Sequence, residues 1–110
     1  MDCIFCKIAK GETGELLYED ELFVAFEDIH PKAKVHVLVI PKKHVESLDA
    51  LSKDDKSWLC DYLLTIKKIA NQLKLKNGYK VIINNGPDGG QVVHHLHAHI
   101  LGGKKIDSLV

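Results

Sequence analysis

Histidines are concentrated near the end of the chain, where four of the seven fall between His94 and His99. His95, His97 and His99 are separated by single residues, so on a β-strand their side chains would lie on one face. A protein core does not ordinarily place three imidazoles side by side, because each buries polar nitrogens that need partners. The spacing therefore indicates chemistry: either the imidazoles are metal ligands, or one of them is a nucleophile supported by the others.

A glycine-rich segment, residues 84–91 with the sequence NNGPDGGQ, precedes these histidines. Glycines tolerate positive φ and let the backbone approach a ligand closely, so successive amides can converge on an anion. The segment lacks the G-K-[ST] end of a Walker loop. Its position next to the histidines indicates a phosphate-binding turn of another kind. All 15 cationic residues are lysines, so a phosphate would be held without the bidentate fork of an arginine.

A solvated strand edge rich in histidine is the plainer alternative to a functional site. Leu96, Ala98 and Ile100 alternate with the histidines, and an apolar opposite face is typical of a strand that covers a core. The apolar face and the neighbouring glycine segment favour a functional site over a solvated edge.

Composition excludes several classes of protein. The 110 residues predict a single domain, residues 1–110, and 15 acidic residues balance the 15 lysines. A protein that coats nucleic acid would need a surplus of cations, so no nucleic-acid partner is expected. No apolar run approaches the roughly 18 residues of a membrane span. The three cysteines and the absence of a signal peptide predict a cytoplasmic protein without disulfides.

The periodicity of apolar residues and the positions of turn residues predict the helices and strands that position the histidines. An antiparallel, five-stranded sheet covered on one face by one long helix is predicted, with a short N-terminal helix: an α+β fold. The predicted helices cover residues 3–10 and a segment from the capping-box-like Ser52 to about Lys76. The predicted strands cover residues 16–18, 23–27, 35–40, 79–83 and 92–101.

A second group with chemical potential is the pair Cys3 and Cys6, spaced as C-x-x-C. The surrounding pattern is not the βαβ unit of a thioredoxin, which disfavours a redox role. The thiols are either packing residues or two of the four ligands that a structural zinc ion requires.

Residues 89–103, GGQVVHHLHAHILGG, resemble the signature of the histidine triad family, His-φ-His-φ-His-φ-φ. The likeness continues upstream through AFEDI at residues 25–29 and VLVIPKKH at residues 37–44. The Leu-Gly-Gly ending at residues 101–103 is most similar to the nucleotide-binding branch, which includes purine nucleoside phosphoramidases. The resemblance implies a dimer-forming α+β domain that binds purine nucleotides.

The resemblance also implies roles for four histidines. His97 matches the nucleophile that attacks the α-phosphate of a nucleotide and forms a nucleotidyl-histidine intermediate. His99 would donate a hydrogen bond to the phosphoryl oxygens, and His95 and His36 would continue the imidazole chain behind them. A neutral imidazole is nucleophilic near pH 7, which agrees with this chemistry.

Six further positions match residues that bind the nucleotide in the family. Asp28 and Ile29 correspond to the positions that hold the ribose and base, and Asn84, Gly90, Gln91 and Val92 to those that line the phosphate beside His97 and His99. Val92 stands where the phosphoramidase branch usually has serine. Valine cannot donate a hydrogen bond, so the preferred leaving group need not follow that branch.

Relatives with the cysteine pair imply a structural zinc site in which Cys3, Cys6, His44 and His95 are the ligands. Relatives also pair through the long helix and the strand over residues 79–83, which implies a homodimer.

The sequence thus predicts a hydrolase that cleaves at the α-phosphate of a purine nucleotide, of the AMP phosphoramidate type. A dinucleoside polyphosphate hydrolase or a nucleotidyltransferase of the same family is the alternative. Two other classes stay open: a regulator that binds nucleotides without catalysis, and a zinc hydrolase whose metal is held by His36, His97 and His99.

Overall fold

The computed structural model describes residues 3–106, which form a five-stranded antiparallel sheet and two α-helices. The sheet order is β1-β2-β3-β5-β4, and every neighbouring pair is antiparallel. The helices are α1 (Ile4–Ala9) and α2 (Lys56–Gln72), and the strands are β1 (Tyr18–Glu19), β2 (Phe23–Glu27), β3 (Val35–Pro41), β4 (Tyr79–Ile82) and β5 (Ala98–Gly102). The predicted α+β architecture is confirmed.

The long helix begins at the predicted capping box. Ser52 Oγ accepts a hydrogen bond from the backbone N–H of Asp54, and the carboxylate of Asp55 accepts one from the N–H of Ser52. This box closes the short 3₁₀ turn Lys53–Asp55, from which α2 continues. The helix ends at Gln72 rather than near Lys76, because Lys74 adopts a positive φ of 62° that terminates the helix.

The sheet separates two apolar clusters. α2 packs on one face, where Phe23, Trp58, Tyr62, Ile66, Ile69, Leu96, Ala98 and Ile100 are buried together. α1 packs on the other face, where Cys3, Phe5, Ala9, Val24, Phe26, Leu38 and Ile40 are buried. Both faces of β2 and β3 are therefore covered, which explains why these strands are almost continuously apolar.

The prediction of a strand over residues 92–101 was wrong at its start, because β5 begins only at Ala98. β3 ends at Pro41, which carries no N–H to continue the ladder. The backbone N–H of Leu96 bonds instead to the carbonyl of Val45, 2.7 Å away in the loop after β3. Residues 92–97 are therefore an irregular segment that leads from the glycine loop into β5.

Smaller differences concern the ends of three other elements. β1 covers Tyr18–Glu19 instead of residues 16–18, because the carboxylate of Asp20 accepts hydrogen bonds from Leu22 and Phe23 and closes the turn one residue later. β3 includes Pro41, and β4 ends at Ile82. Within residues 3–106, neither helix combines the length and apolar character that a membrane crossing demands.

Candidate functional site

Four histidines come together on the α1 side of the sheet. His36 lies on β3 and His99 on β5, while His95 and His97 lie in the segment just before β5. The ring centroids of His97 and His99 are 5.0 Å apart, and those of His36 and His99 are 5.1 Å apart. The predicted alternation survives the irregular backbone, since Leu96 and Ala98 still point into the α2 core.

The hydrogen bond of His97 fixes which of its nitrogens is free. Nδ1 lies 2.7 Å from the backbone carbonyl oxygen of His95. A carbonyl oxygen can only accept, so Nδ1 carries the hydrogen, and Nε2 of the neutral ring keeps its lone pair. His97 is thus oriented as a nucleophile whose second nitrogen is held by the backbone.

His36 and His99 form a second chain with a defined direction. The backbone N–H of Lys32 donates to Nδ1 of His36 over 3.0 Å, so His36 carries its hydrogen on Nε2. That Nε2 lies 2.9 Å from Nδ1 of His99, which must therefore accept. His99 is left with an Nε2–H donor, which can bind an anionic oxygen.

Burial keeps this histidine pair neutral. The pKa of His99 is lowered to about 4, chiefly by burial and also by the neighbouring His97 and His36, while Asp28 opposes the shift. Burial also lowers the pKa of His36, against the opposing effect of Asp28, whose carboxylate lies 3.4 Å from Nε2. Both rings are neutral near pH 7, as the direction of their hydrogen bonds requires.

His95 faces away from this chain and toward the cysteines. Its Nε2 lies 2.8 Å from the carbonyl oxygen of Pro41 and donates to it, which leaves the lone pair on Nδ1. That Nδ1 is 3.4 Å from Cys3 Sγ, 3.5 Å from Cys6 Sγ and 3.2 Å from His44 Nδ1. The expected imidazole chain therefore includes His36 but not the ring of His95, which serves His97 through its backbone carbonyl.

This Nδ1 and the three groups around it fit a metal ion. One ligand atom from each of Cys3, Cys6, His44 and His95 lies within 4.8 Å of the others. Two sulfurs and two imidazole nitrogens are a donor set that zinc prefers in closed structural sites. The Pro41 hydrogen bond already fixes His95 in the tautomer that a metal requires. The Cys/His cluster could hold a metal ion.

A second group, Asp28, His36 and His99, is also close enough to hold a metal ion. Its hydrogen bonding is less suitable, because His36 must carry a hydrogen on the very nitrogen that would face the ion. His97 is not a member of this group. The arrangement favours proton donation over metal binding at His99.

Hydrogen bonds from the buried Gln91 and the half-buried Asn84 hold the glycine loop in place. Gln91 accepts from the N–H of Gly86 over 2.9 Å and donates to the carbonyls of Glu46 and Val93 over 2.7 and 3.0 Å. Its amide is therefore directed into the protein and shapes the loop. Asn84 donates to the carbonyl of Gly89 over 2.7 Å.

Three of the residues matched to nucleotide binding border open space. Val92 and Ile29 are 85% and 86% exposed, and the other exposed large apolar side chains within residues 3–106 are at most 63% exposed. Gly90 has a φ of +82°, the left-handed region that favours glycine. Asp28 is half-buried and accepts a hydrogen bond from the N–H of His30.

The chain is similar in sequence and in structure to histidine triad (HIT) proteins. The HIT domain model matches residues 10–106. The chain belongs to the HIT family. A histidine triad protein from Clostridium difficile has 46% sequence identity and a TM-score of 0.93, covering 100% of this chain and 97% of that one.

Two further HIT structures carry descriptive names. A HIT family hydrolase from Legionella pneumophila is 42% identical with a TM-score of 0.90, covering 94% of this chain and 95% of that one. A histidine triad nucleotide-binding protein from Candida albicans is 42% identical with a TM-score of 0.80, covering 90% of this chain and 73% of that one. The chain thus has a fold shared with HIT hydrolases.

The sequence did not predict that the aromatic side chain of Phe5, packed against Phe26, lies beside His97. The ring of Phe5 meets that of His97 edge-on, with centroids 5.1 Å apart and an interplanar angle of 90°. Phe26 packs against Phe5 from β2, at 5.3 Å. Helical periodicity predicts Ile4, Phe5 and Ile8 on one side of α1, but Ile4 is 48% exposed, whereas Phe5 is buried and Ile8 is partly buried against the same cluster. Pattern alone could not show that the inward side chain reaches a histidine.

Proposed function

We propose that this HIT protein binds a purine nucleotide and hydrolyses a bond at its α-phosphate, of the AMP phosphoramidate type, through His97. The orientation of His97 is the observation that carries the proposal. Its Nδ1–H is held by the carbonyl oxygen of His95 at 2.7 Å, so the Nε2 lone pair faces away from the backbone. A neutral histidine held by its other nitrogen is suited to covalent catalysis.

The reaction has two displacements at phosphorus. In the first, Nε2 of His97 bonds to the α-phosphorus, the phosphorus–nitrogen bond breaks, and the leaving amine takes up a proton from solvent. In the second, water attacks the phosphorus and releases a proton to solvent, the bond to His97 breaks, and a nucleoside monophosphate is released. The Nε2–H of His99, set by its contact with His36, donates to a phosphoryl oxygen while charge develops there.

Nucleotide binding would use the residues around this histidine pair. Asp28 and the exposed Ile29 are proposed to hold the ribose and base, and the loop from Asn84 to Val92 to line the phosphate. Since the chain has no arginine, backbone amides near Gly90 and the imidazoles would neutralise the phosphate. Gln91 would act here through the loop that its side chain holds.

A structural zinc ion is proposed at Cys3, Cys6, His44 and His95. The distances among the ligand atoms and the Nδ1 lone pair of His95 support it. The ion would contribute stability by fixing the N-terminal helix to the sheet, and the steps at phosphorus would be carried by protein side chains.

A homodimer is proposed because apolar side chains are exposed near the β4 edge of the sheet. β4 is an outer strand, and its Tyr79 and Val81 are 39% and 42% exposed. Val81 pairs with Ile100 of β5, whose side chain faces α2, and Tyr79 pairs with Gly102. Leu63 of α2 is 63% exposed. A second copy would cover this strip and the outer edge of β4, which pairs with no strand other than β5 within residues 3–106. The free thiols of Cys3, Cys6 and Cys60 support a reducing, cytoplasmic location.

Three alternatives are separable from this proposal. A dinucleoside polyphosphate hydrolase or nucleotidyltransferase would share the His97 intermediate and differ in the leaving or accepting group. A zinc hydrolase using His36, His97 and His99 would lose activity when metal is removed. A regulator would bind nucleotide without forming an intermediate at His97.

The deciding experiment compares turnover of adenosine phosphoramidates with that of dinucleoside polyphosphates, using radiolabel at the α-phosphate and quenching in alkaline denaturant, in which a phosphorus–nitrogen bond survives. The proposal expects faster turnover of the phosphoramidate and label trapped on His97. Faster cleavage of the dinucleoside polyphosphate would favour the alternative within the family. Nucleotide binding without any trapped label would favour the regulator.

A further inference from the structure

Phe5 lies between the two cysteines of α1 and reaches the nucleophile. Its side chain is 7% exposed, and its ring is 5.1 Å from that of His97 at an interplanar angle of 90°. The same ring is 6.1 Å from His95 and 5.3 Å from Phe26. Edge-to-face contact at these distances is a preferred geometry for aromatic rings.

The hydrogen bond of His97 does not by itself fix the plane of the ring. One Nδ1–H···O bond holds one edge of the imidazole, and the ring can still tilt about the line that joins the two atoms. Such a tilt would swing Nε2 away from the line of attack on phosphorus. The perpendicular ring of Phe5 lies against the imidazole and is itself packed against Phe26 in a buried cluster, so it opposes this tilt.

We propose that Phe5 is a positioning residue for His97, which holds the imidazole plane so that Nε2 points at the reacting phosphorus. The assignment rests on the proposed function. Cys3 caps the helix that carries Phe5, and its Sγ accepts from the N–H of Cys6. The Cys/His cluster therefore holds α1, and Phe5 on α1 contacts His97. Phe5 thus links the Cys/His cluster to the nucleophile.

The test replaces Phe5 by residues that keep apolar volume but lack a ring. Phe5→Leu and Phe5→Met are compared with Phe23→Leu, the same loss in the α2 core, where Phe23 packs against Trp58 and Tyr62. Four quantities are measured on zinc-loaded protein: kcat and KM for adenosine phosphoramidate, bound zinc per chain, and the solvent exchange rate of the His97 Nδ1–H by NMR.

Both Phe5 variants should lower kcat about tenfold with KM within about twofold of the original value, since misplacement acts on the chemical step. The His97 Nδ1–H should exchange faster while the bound zinc stays the same. Phe23→Leu should lower the melting temperature and leave kcat and the exchange rate unchanged.

Unchanged kcat and exchange rate in either folded Phe5 variant would overturn the positioning role. So would a rise in KM that accompanies loss of zinc, since that pattern marks a general structural role. If the original protein does not turn over the phosphoramidate, the proposed function fails, while the exchange rate still decides whether Phe5 holds the His97 ring.

Discussion

His36 Nε2 lies 2.9 Å from Nδ1 of His99, and the direction of this hydrogen bond depends on both rings being neutral. Burial lowers the pKa of His99 to about 4, below its ordinary value of 6.5. The unfolded chain therefore binds more protons than the folded one between these values, and the contribution of His99 to stability falls as pH drops from 6.5 toward 4.

Replacing His99 by asparagine should remove this pH dependence. The free energy of unfolding is measured by denaturant titration at about pH 7.5 and about pH 5. It should decrease more between these two pH values in the original protein than in His99→Asn. His30→Asn is the control, since His30 lies exposed on the loop after β2. Equal losses in the original protein and in His99→Asn would contradict the assignment.

His97→Ala should abolish turnover while nucleotide binding survives, because it removes the nucleophilic imidazole and leaves the residues proposed to hold the ribose, base and phosphate loop in place. The measurement pairs steady-state kinetics with calorimetric binding of the nucleoside monophosphate. His94→Ala is the matched control, because His94 is an exposed neighbour in the same segment. Substantial residual activity in His97→Ala would mean that another group is the nucleophile.

Val92→Ser should raise turnover of phosphoramidates by supplying a hydroxyl beside the phosphate. One hydrogen bond to a charged group is worth on the order of 1.5–3 kcal/mol, or roughly tenfold or more in rate. Val92 is 85% exposed, so the change should not disturb the core. Val92→Ala separates the added hydroxyl from the lost side chain. A rate in Val92→Ser no higher than in Val92→Ala would mean that another donor already fills this role.

Protein purified without chelator should contain about one zinc per chain, the expectation for a closed site of four ligands. The double variant Cys3→Ser/Cys6→Ser should contain none and should melt at a lower temperature, because the metal binds only the folded chain. Cys60→Ser, which changes an exposed thiol on α2, should keep the metal. Metal-free protein from a reduced, chelator-free preparation would refute the site.

In solution the chain should have about twice the monomer mass of 12.3 kDa. Val81→Lys should yield monomers, because a lysine on the outer strand opposes pairing of strand edges. Leu22→Lys, at a residue that is also exposed but lies at the opposite side of the sheet, should remain dimeric. Light scattering at micromolar concentration distinguishes the outcomes, and a monomeric original protein would disprove the dimer.

The sequence by itself determined the type and order of the elements. Alternating and helical periodicities are local properties, so β2, β3 and the buried face of α2 followed from the chain. The capping box at Ser52 was equally local and is present. The start of β5 is not a local property of the sequence. It depends on the missing N–H of Pro41 in another strand and on the hydrogen bond from Leu96 to Val45.

For the candidate site, spacing and resemblance identified the histidines, but only the tertiary structure decided what each nitrogen does. The acceptor at His95 and the donor at Lys32 lie on the backbone and carry no side-chain signal. The contact of Phe5 with His97 joins residues from opposite ends of the chain. A sequence specifies which groups are available, whereas tautomers, ring planes and ligand sets depend on distances that arise only when the elements pack.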